Sequence, residues 1–129
     1  MRRAAVVAAS VLLVACGGED GRYLAGFCAA VEDLRSDDPF AELQIASPED
    51  MRDAFAELAA GVDRIAEAAP DQARTQAGRY ADAVDALRDE LAGAAYDPTR
   101  VDQLRYGQAV AAYSEAATSV GNTADASCD

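Results

Sequence analysis

Residues 47–69 read SPEDMRDAFAELAAGVDRIAEAA, and their spacing decides the fold. Ser47 supplies a hydroxyl to cap a helix, Pro48 suits the first helical position, and Glu49 and Asp50 place acids in the first turn. Met51, Phe55, Leu58, Val62, Ile65 and Ala69 then recur at alternating steps of four and three. That alternation lays an apolar stripe along one face and matches helices packed at about 20° to one another.

The same alternation extends outward. After a break at Pro70, it runs through Ala73, Ala77, Tyr80, Val84, Leu87, Leu91 and Ala94. Asp97-Pro98-Thr99, with Asp102 three beyond Thr99, predicts the opening of a last helix. Its seam is Tyr106, Val110, Tyr113, Ala117, Val120 and Ala124, flanked by Val101 and Leu104. Upstream, Leu24, Phe27, Cys28, Val31 and Leu34 share one face of a first helix that stops at Asp38-Pro39. The segment 39–46, with Phe40, Leu43 and Ile45, is expected to form a short turn plugging one end of the core. Left partly open, it would border a docking cleft instead.

The fold class expected from these stripes is all-α, an antiparallel up-down-up-down four-helix bundle. Short connections at 69–71 and 94–99 favour antiparallel neighbours, and alanine at many seam positions lets helices approach closely. Opposite charges three residues apart mark the outward faces: Glu32/Arg35, Glu49/Arg52, Arg64/Glu67, Asp71/Arg74, Arg79/Asp82, Asp85/Arg88 and Asp102/Arg105.

The N-terminal stretch is of another kind. Arg2 and Arg3 precede an uncharged run from Ala4 to Ala15 that ends in Leu13-Val14-Ala15-Cys16. A basic start, a short apolar middle and a small residue before a cut describe an export signal. The run is too short for a membrane span, which needs about 20 residues. Leu13-Val14-Ala15-Cys16 resembles the lipobox of bacterial lipoproteins. The resemblance implies that the Cys16 thiol receives a diacylglyceryl group, that cleavage falls just before it, and that acyl chains hold the protein to the outer face of the cell membrane. An ordinary secretory signal remains the alternative. The organisation expected is a signal peptide over 1–15, a lipidated cysteine and glycine-rich tether over 16–21, and a bundle domain over 22–129. The early cysteine in Phe27-Cys28-Ala29-Ala30-Val31-Glu32-Asp33-Leu34, the absence of lysine and the 32 alanines add a looser resemblance to small actinobacterial lipoproteins of uncharacterised function.

With Cys16 given to lipid, Cys28 and Cys128 remain, and an even pair in an exported chain is expected to form a disulfide. An up-down-up-down order brings the start of the first helix beside the end of the fourth, which suits that pairing. Beyond the cut, nine arginines face 23 acids, a net charge of −14. Such a surface disfavours nucleic acid and suits cations or a basic envelope protein as partner.

The chemistry-bearing motifs are few. The chain has no histidine, so the usual general base and the His-dependent metal motifs are missing. It carries no phosphate-binding glycine loop, nucleophile elbow or calcium loop. No enzyme, cofactor or metal site is expected. Asp82, Asp85 and Asp89, with Asp63 and Glu67, are read as solvated helix faces, because a helix cannot wrap a cation with oxygens as a loop does. Tyr80, Tyr106 and Tyr113 fall on seams and are candidate ligand contacts as well as core residues. The function expected is therefore a lipid-anchored binding or scaffolding module. The alternative is an extracytoplasmic carrier of haem or another small hydrophobic ligand held between helices.

Overall fold

The structure, a computed structural model, describes residues 18–40 and 47–128. Four α-helices run through them: α1 (Gly18–Ser36), α2 (Pro48–Ala68), α3 (Asp71–Gly93) and α4 (Gln103–Ser127). No strand occurs among the described residues. The Leu13–Cys16 motif, Leu43 and Ile45 lie outside them. α1 begins at Gly18, inside the stretch expected as a tether.

Ser47 caps α2 as its sequence predicts. Its Oγ accepts from the Asp50 amide at 3.2 Å, and the Asp50 carboxylate accepts in return from the Ser47 amide at 3.4 Å. Two orphan donors are thereby satisfied at once. Only Ala69 and Pro70 separate α2 from α3.

α4 starts later than expected. Asp97 Oδ1 accepts from both the Thr99 amide (2.9 Å) and the Thr99 hydroxyl (2.7 Å), closing a turn instead of a helix. The same two bonds hold the Asp97 carboxyl below its usual range. The helix cap is Asp102, whose carboxylate accepts from the Leu104 and Arg105 amides at 3.0 and 3.1 Å. An ionised cap at a helix N-terminus gains from the helix dipole as well as from the hydrogen bonds. In this register Leu104 lies in the first turn and is 72% exposed, while Val101, ahead of the helix, is buried. Leu104 therefore does not flank the seam as expected.

The connection leaving α3 carries the tightest backbone. Ala95 and Tyr96 have φ of 52° and 58°, and the Tyr96 amide donates to the Leu91 carbonyl at 2.7 Å. This is a left-handed helix stop of the kind glycine usually makes, so a side chain here costs about 1 kcal/mol or more.

The core follows the sequence stripes. Phe27, Val62, Ile65, Val84 and Leu91 are its largest fully buried side chains, and Ala69, Ala73 and Ala77 pack among them. Gly61 of α2 sits where an added Cβ would come 3.0 Å from Leu34 Cδ1. Glycine in mid-helix costs up to about 1 kcal/mol, and here it gives α1 a close approach to α2. Each helix packs on its neighbours in sequence, and α4 also meets α1, most lightly of the four contacts. α4 contributes only Val120 and Ala124 as buried residues, with Tyr106, Val110, Tyr113 and Ala117 half-buried against the core.

The α1–α4 contact is covalent. Cys28 and Cys128 form a disulfide with Cα atoms 5.8 Å apart, across a sequence separation of 100. Beside it Arg35 reaches Asp125 at 3.0 Å and the Gly121 carbonyl at 3.4 Å. The local pairs expected on helix surfaces form at Asp71–Arg74 (2.8 Å) and Glu49–Arg52 (4.0 Å). Arg35 and Arg105 instead take partners on other helices, Asp125 and Glu90. A partner on an adjacent helix can meet the guanidinium head-on, which a neighbour one turn away does not always do.

Closing a loop of about 100 residues is worth on the order of 4 to 5 kcal/mol in a chain-entropy account. The Cys28→Ser/Cys128→Ser double variant is expected to unfold at markedly lower urea, with α4 amides losing hydrogen-exchange protection before those of α2 and α3. Equal protection across the four helices would show that packing alone holds α4.

Candidate functional site

α3 and α4 pack along their length, whereas α1 touches α4 only lightly. The gap between α1 and α4 is a cleft of about 370 Å3, within the size of small-molecule sites. Its apolar surface comes from Val31 and Leu34 of α1, Leu58 and Ile65 of α2, and Val120 of α4. These side chains line it because the same stripes that build the core run out along its edge.

Two tyrosines enter from the α3–α4 side. Tyr80 is 6% exposed and Tyr113 half-buried, with ring centroids 5.8 Å apart and planes tilted by 38°. Phe40 borders the cleft across from them and packs edge-on against Phe55 at 4.9 Å. Aromatic pairs at such separations and tilts are favourable beyond their buried area. Burial pushes the Tyr80 phenol above its usual range, and the nearby Tyr113 and the Asp38 carboxylate act in the same direction. Tyr80 is therefore neutral, a hydrogen-bonding group on an apolar wall.

The rim carries the charges. Asp38 Oδ1 accepts from the Phe40 amide at 2.9 Å, which anchors the carboxylate at the rim. Among the described residues Asp38 has no ion-pair partner. Arg35, also on the rim, is neutralised by Asp125.

Two of the three tyrosines singled out in the sequence thus meet at one site, Tyr80 and Tyr113. Tyr106 packs against the core elsewhere and does not border the cleft. Asp38 and Arg35 were not legible as site residues, because their place depends on how α1 ends and where α4 lies. Phe40, expected in a turn plugging one end of the core, borders the cleft; residues 41–46 of that turn lie outside the described residues.

Two other hollows differ in character. One of about 910 Å3 beside α1 is lined mainly by exposed polar groups, including Asp33, Asp37, Glu57 and Arg64. Another of about 420 Å3 lies along α3 and α4, between Arg79, Asp82 and Glu115, with the buried Gln76 Oε1 lacking a protein partner. Neither brings apolar walls and convergent aromatic groups together. The acids Asp82, Asp85, Asp89, Asp63 and Glu67 do not gather into a metal-binding group among the described residues.

Because the folded protein holds the Tyr80 proton more tightly than the unfolded chain, its contribution is complete below pH 10 and is lost as pH rises above it. The slope for that one proton is about 1.4 kcal/mol per pH unit. Ultraviolet titration of the five tyrosines should leave one un-ionised until the bundle unfolds. Tyr80→Phe should remove that component and flatten the alkaline loss of stability. No known family, curated protein or solved structure matches this chain, so its function rests on the chemistry of its own residues.

Proposed function

We propose that the protein is a lipid-anchored, non-enzymatic binding module of the cell envelope, holding a small molecule in the cleft between α1 and α4. The observation that carries this is the cleft itself, with its apolar walls, tyrosine pair and charged rim. The tether rests on Leu13-Val14-Ala15-Cys16 and its basic, apolar lead-in. A disulfide suits an oxidising extracytoplasmic site.

The up-down-up-down order belongs to the same proposal. Gly26 lies by Ala68 and Gly61 by Leu34, Glu90 pairs with Arg105, and Cys28 with Cys128 while Arg35 pairs with Asp125. Between α1 and α2 and between α1 and α4 one helix advances as its neighbour runs back. Tyr80 beside Tyr113 with Glu90 beside Arg105 gives the same sense to α3 and α4, which supports antiparallel packing at these three contacts. The acid-lined hollow beside α1 and the mature charge of −14 favour a basic envelope protein, and not nucleic acid, as the module's docking partner.

Two variants separate the parts of this reading. Cys16→Ser should abolish incorporation of labelled palmitate and leave the uncut, larger chain; acylation that persists would sink the lipoprotein route. Benzyl alcohol, a neutral aromatic probe, should shift the NMR signals of Tyr113 and Val120. Ala117→Phe, which fills the cleft from α4, should remove those shifts while helicity is retained. Shifts unchanged by that filling would place binding elsewhere and overturn the cleft as the site.

A further inference from the structure

The polar groups on the cleft point to the charge of its ligand. Three aromatic rings border it, from Phe40, Tyr80 and Tyr113. The faces of such rings carry negative quadrupole and attract cations, most strongly when water is excluded. Beside them stands Asp38, held in place by its bond to the Phe40 amide.

The rim is not symmetric in charge. Arg35 would repel a cation if it were free, but Asp125 holds it at 3.0 Å and the Gly121 carbonyl adds a second contact. Asp38 has no such neutralising partner among the described residues. The three charges together leave one negative charge at the mouth of an apolar, aromatic cleft. An anionic ligand, haem with its carboxylates included, would meet the Asp38 carboxylate unfavourably. A neutral apolar ligand would fit the walls and leave the carboxylate idle.

We propose that the cleft binds a small organic cation, an ammonium group carrying an apolar substituent. The charged head lies among Phe40, Tyr80, Tyr113 and Asp38, and the substituent lies against Val31, Leu34 and Ile65. This inference rests on the reading of the cleft as a small-molecule site and names its ligand class. The acidic surface as a whole adds attraction at long range, but it is screened beyond about 8 Å at physiological salt, so selectivity comes from the cleft.

The test compares benzyltrimethylammonium with benzyl alcohol, binding each to the full disulfide-bonded chain in non-ionic detergent at physiological salt. Affinities are followed by NMR shifts of the Tyr113 ring and the Val120 methyls. The cation is expected to bind about tenfold more tightly. Asp38→Asn keeps an oxygen for the Phe40 amide and removes only the charge. It should weaken the cation about threefold to tenfold and leave benzyl alcohol unchanged. Tyr113→Leu should weaken the cation more than the alcohol. Equal affinity for the two probes overturns the cation proposal while the cleft remains a binding site. Cation binding indifferent to both substitutions places it on the general acidic surface and overturns the proposal as well. If neither probe shifts the cleft residues, the small-molecule reading itself falls, and the cation proposal with it.

Discussion

The Cys28–Cys128 bond is the constraint on which the rest of the structure depends. The largest fully buried side chains come from α1, α2 and α3, as Phe27, Val62, Ile65, Val84 and Leu91, whereas α4 buries only Val120 and Ala124. Ordering a helix of 25 residues against so little buried volume is costly, since each backbone position loses about 1–2 kcal/mol of conformational freedom. α4 has its contact with α3 and a cross-link to α1. Without the second, the side of the bundle between α1 and α4 would have little to close it.

That division of labour also explains why a cleft exists. Had α1 and α4 been joined by large seam residues, their packing would have filled the space between them, because interiors approach the density of organic crystals. Ala117 and Gly121 on α4 instead present little bulk to α1. The disulfide joins the middle of α1 to the end of α4, the Arg35–Asp125 pair ties the end of α1 to the last turns of α4, and the cleft opens beside Leu34 and Ala117. Tyr80 and Tyr113 then stand in the opening, paired with each other and not with a residue of α1. A covalent tie replaces packing, and the volume that packing would have used stays available.

The four helices were legible because alternating steps of three and four specify a stripe whatever the tertiary context. Ser47-Pro48 was equally legible, since a cap acts within one turn. The start of α4 was not, because Thr99 and Asp102 are both acceptable caps, and the contest is settled by Asp97 capturing the Thr99 amide and hydroxyl. That shift also moved Leu104 out to solvent. Surface ion pairs were legible only where both partners sit on one helix. Glu90–Arg105 and Arg35–Asp125 depend on the register between helices, which a one-dimensional pattern does not hold. The cleft divides in the same way: its tyrosines were visible as seam residues, while Asp38 enters through the turn after α1.

The excess of carboxylates acquires a more specific meaning from this geometry. Most of them are solvated on helix faces, where each contributes to a diffuse negative field and little to recognition. Asp38 differs because it borders the cleft together with Phe40, Tyr80 and Tyr113, and because one of its oxygens is already engaged by the Phe40 amide. A carboxylate beside apolar surface is less well screened on that side than one in open water, so its attraction for a cation there is stronger. Arg35 would cancel that attraction, and its bond to Asp125 keeps it from doing so. The same salt bridge thus helps join α1 to α4 and leaves the charge at the mouth of the cleft uncompensated. Removing the Asp125 carboxylate would therefore loosen the closure of the bundle and weaken a cation site that Asp125 does not itself touch.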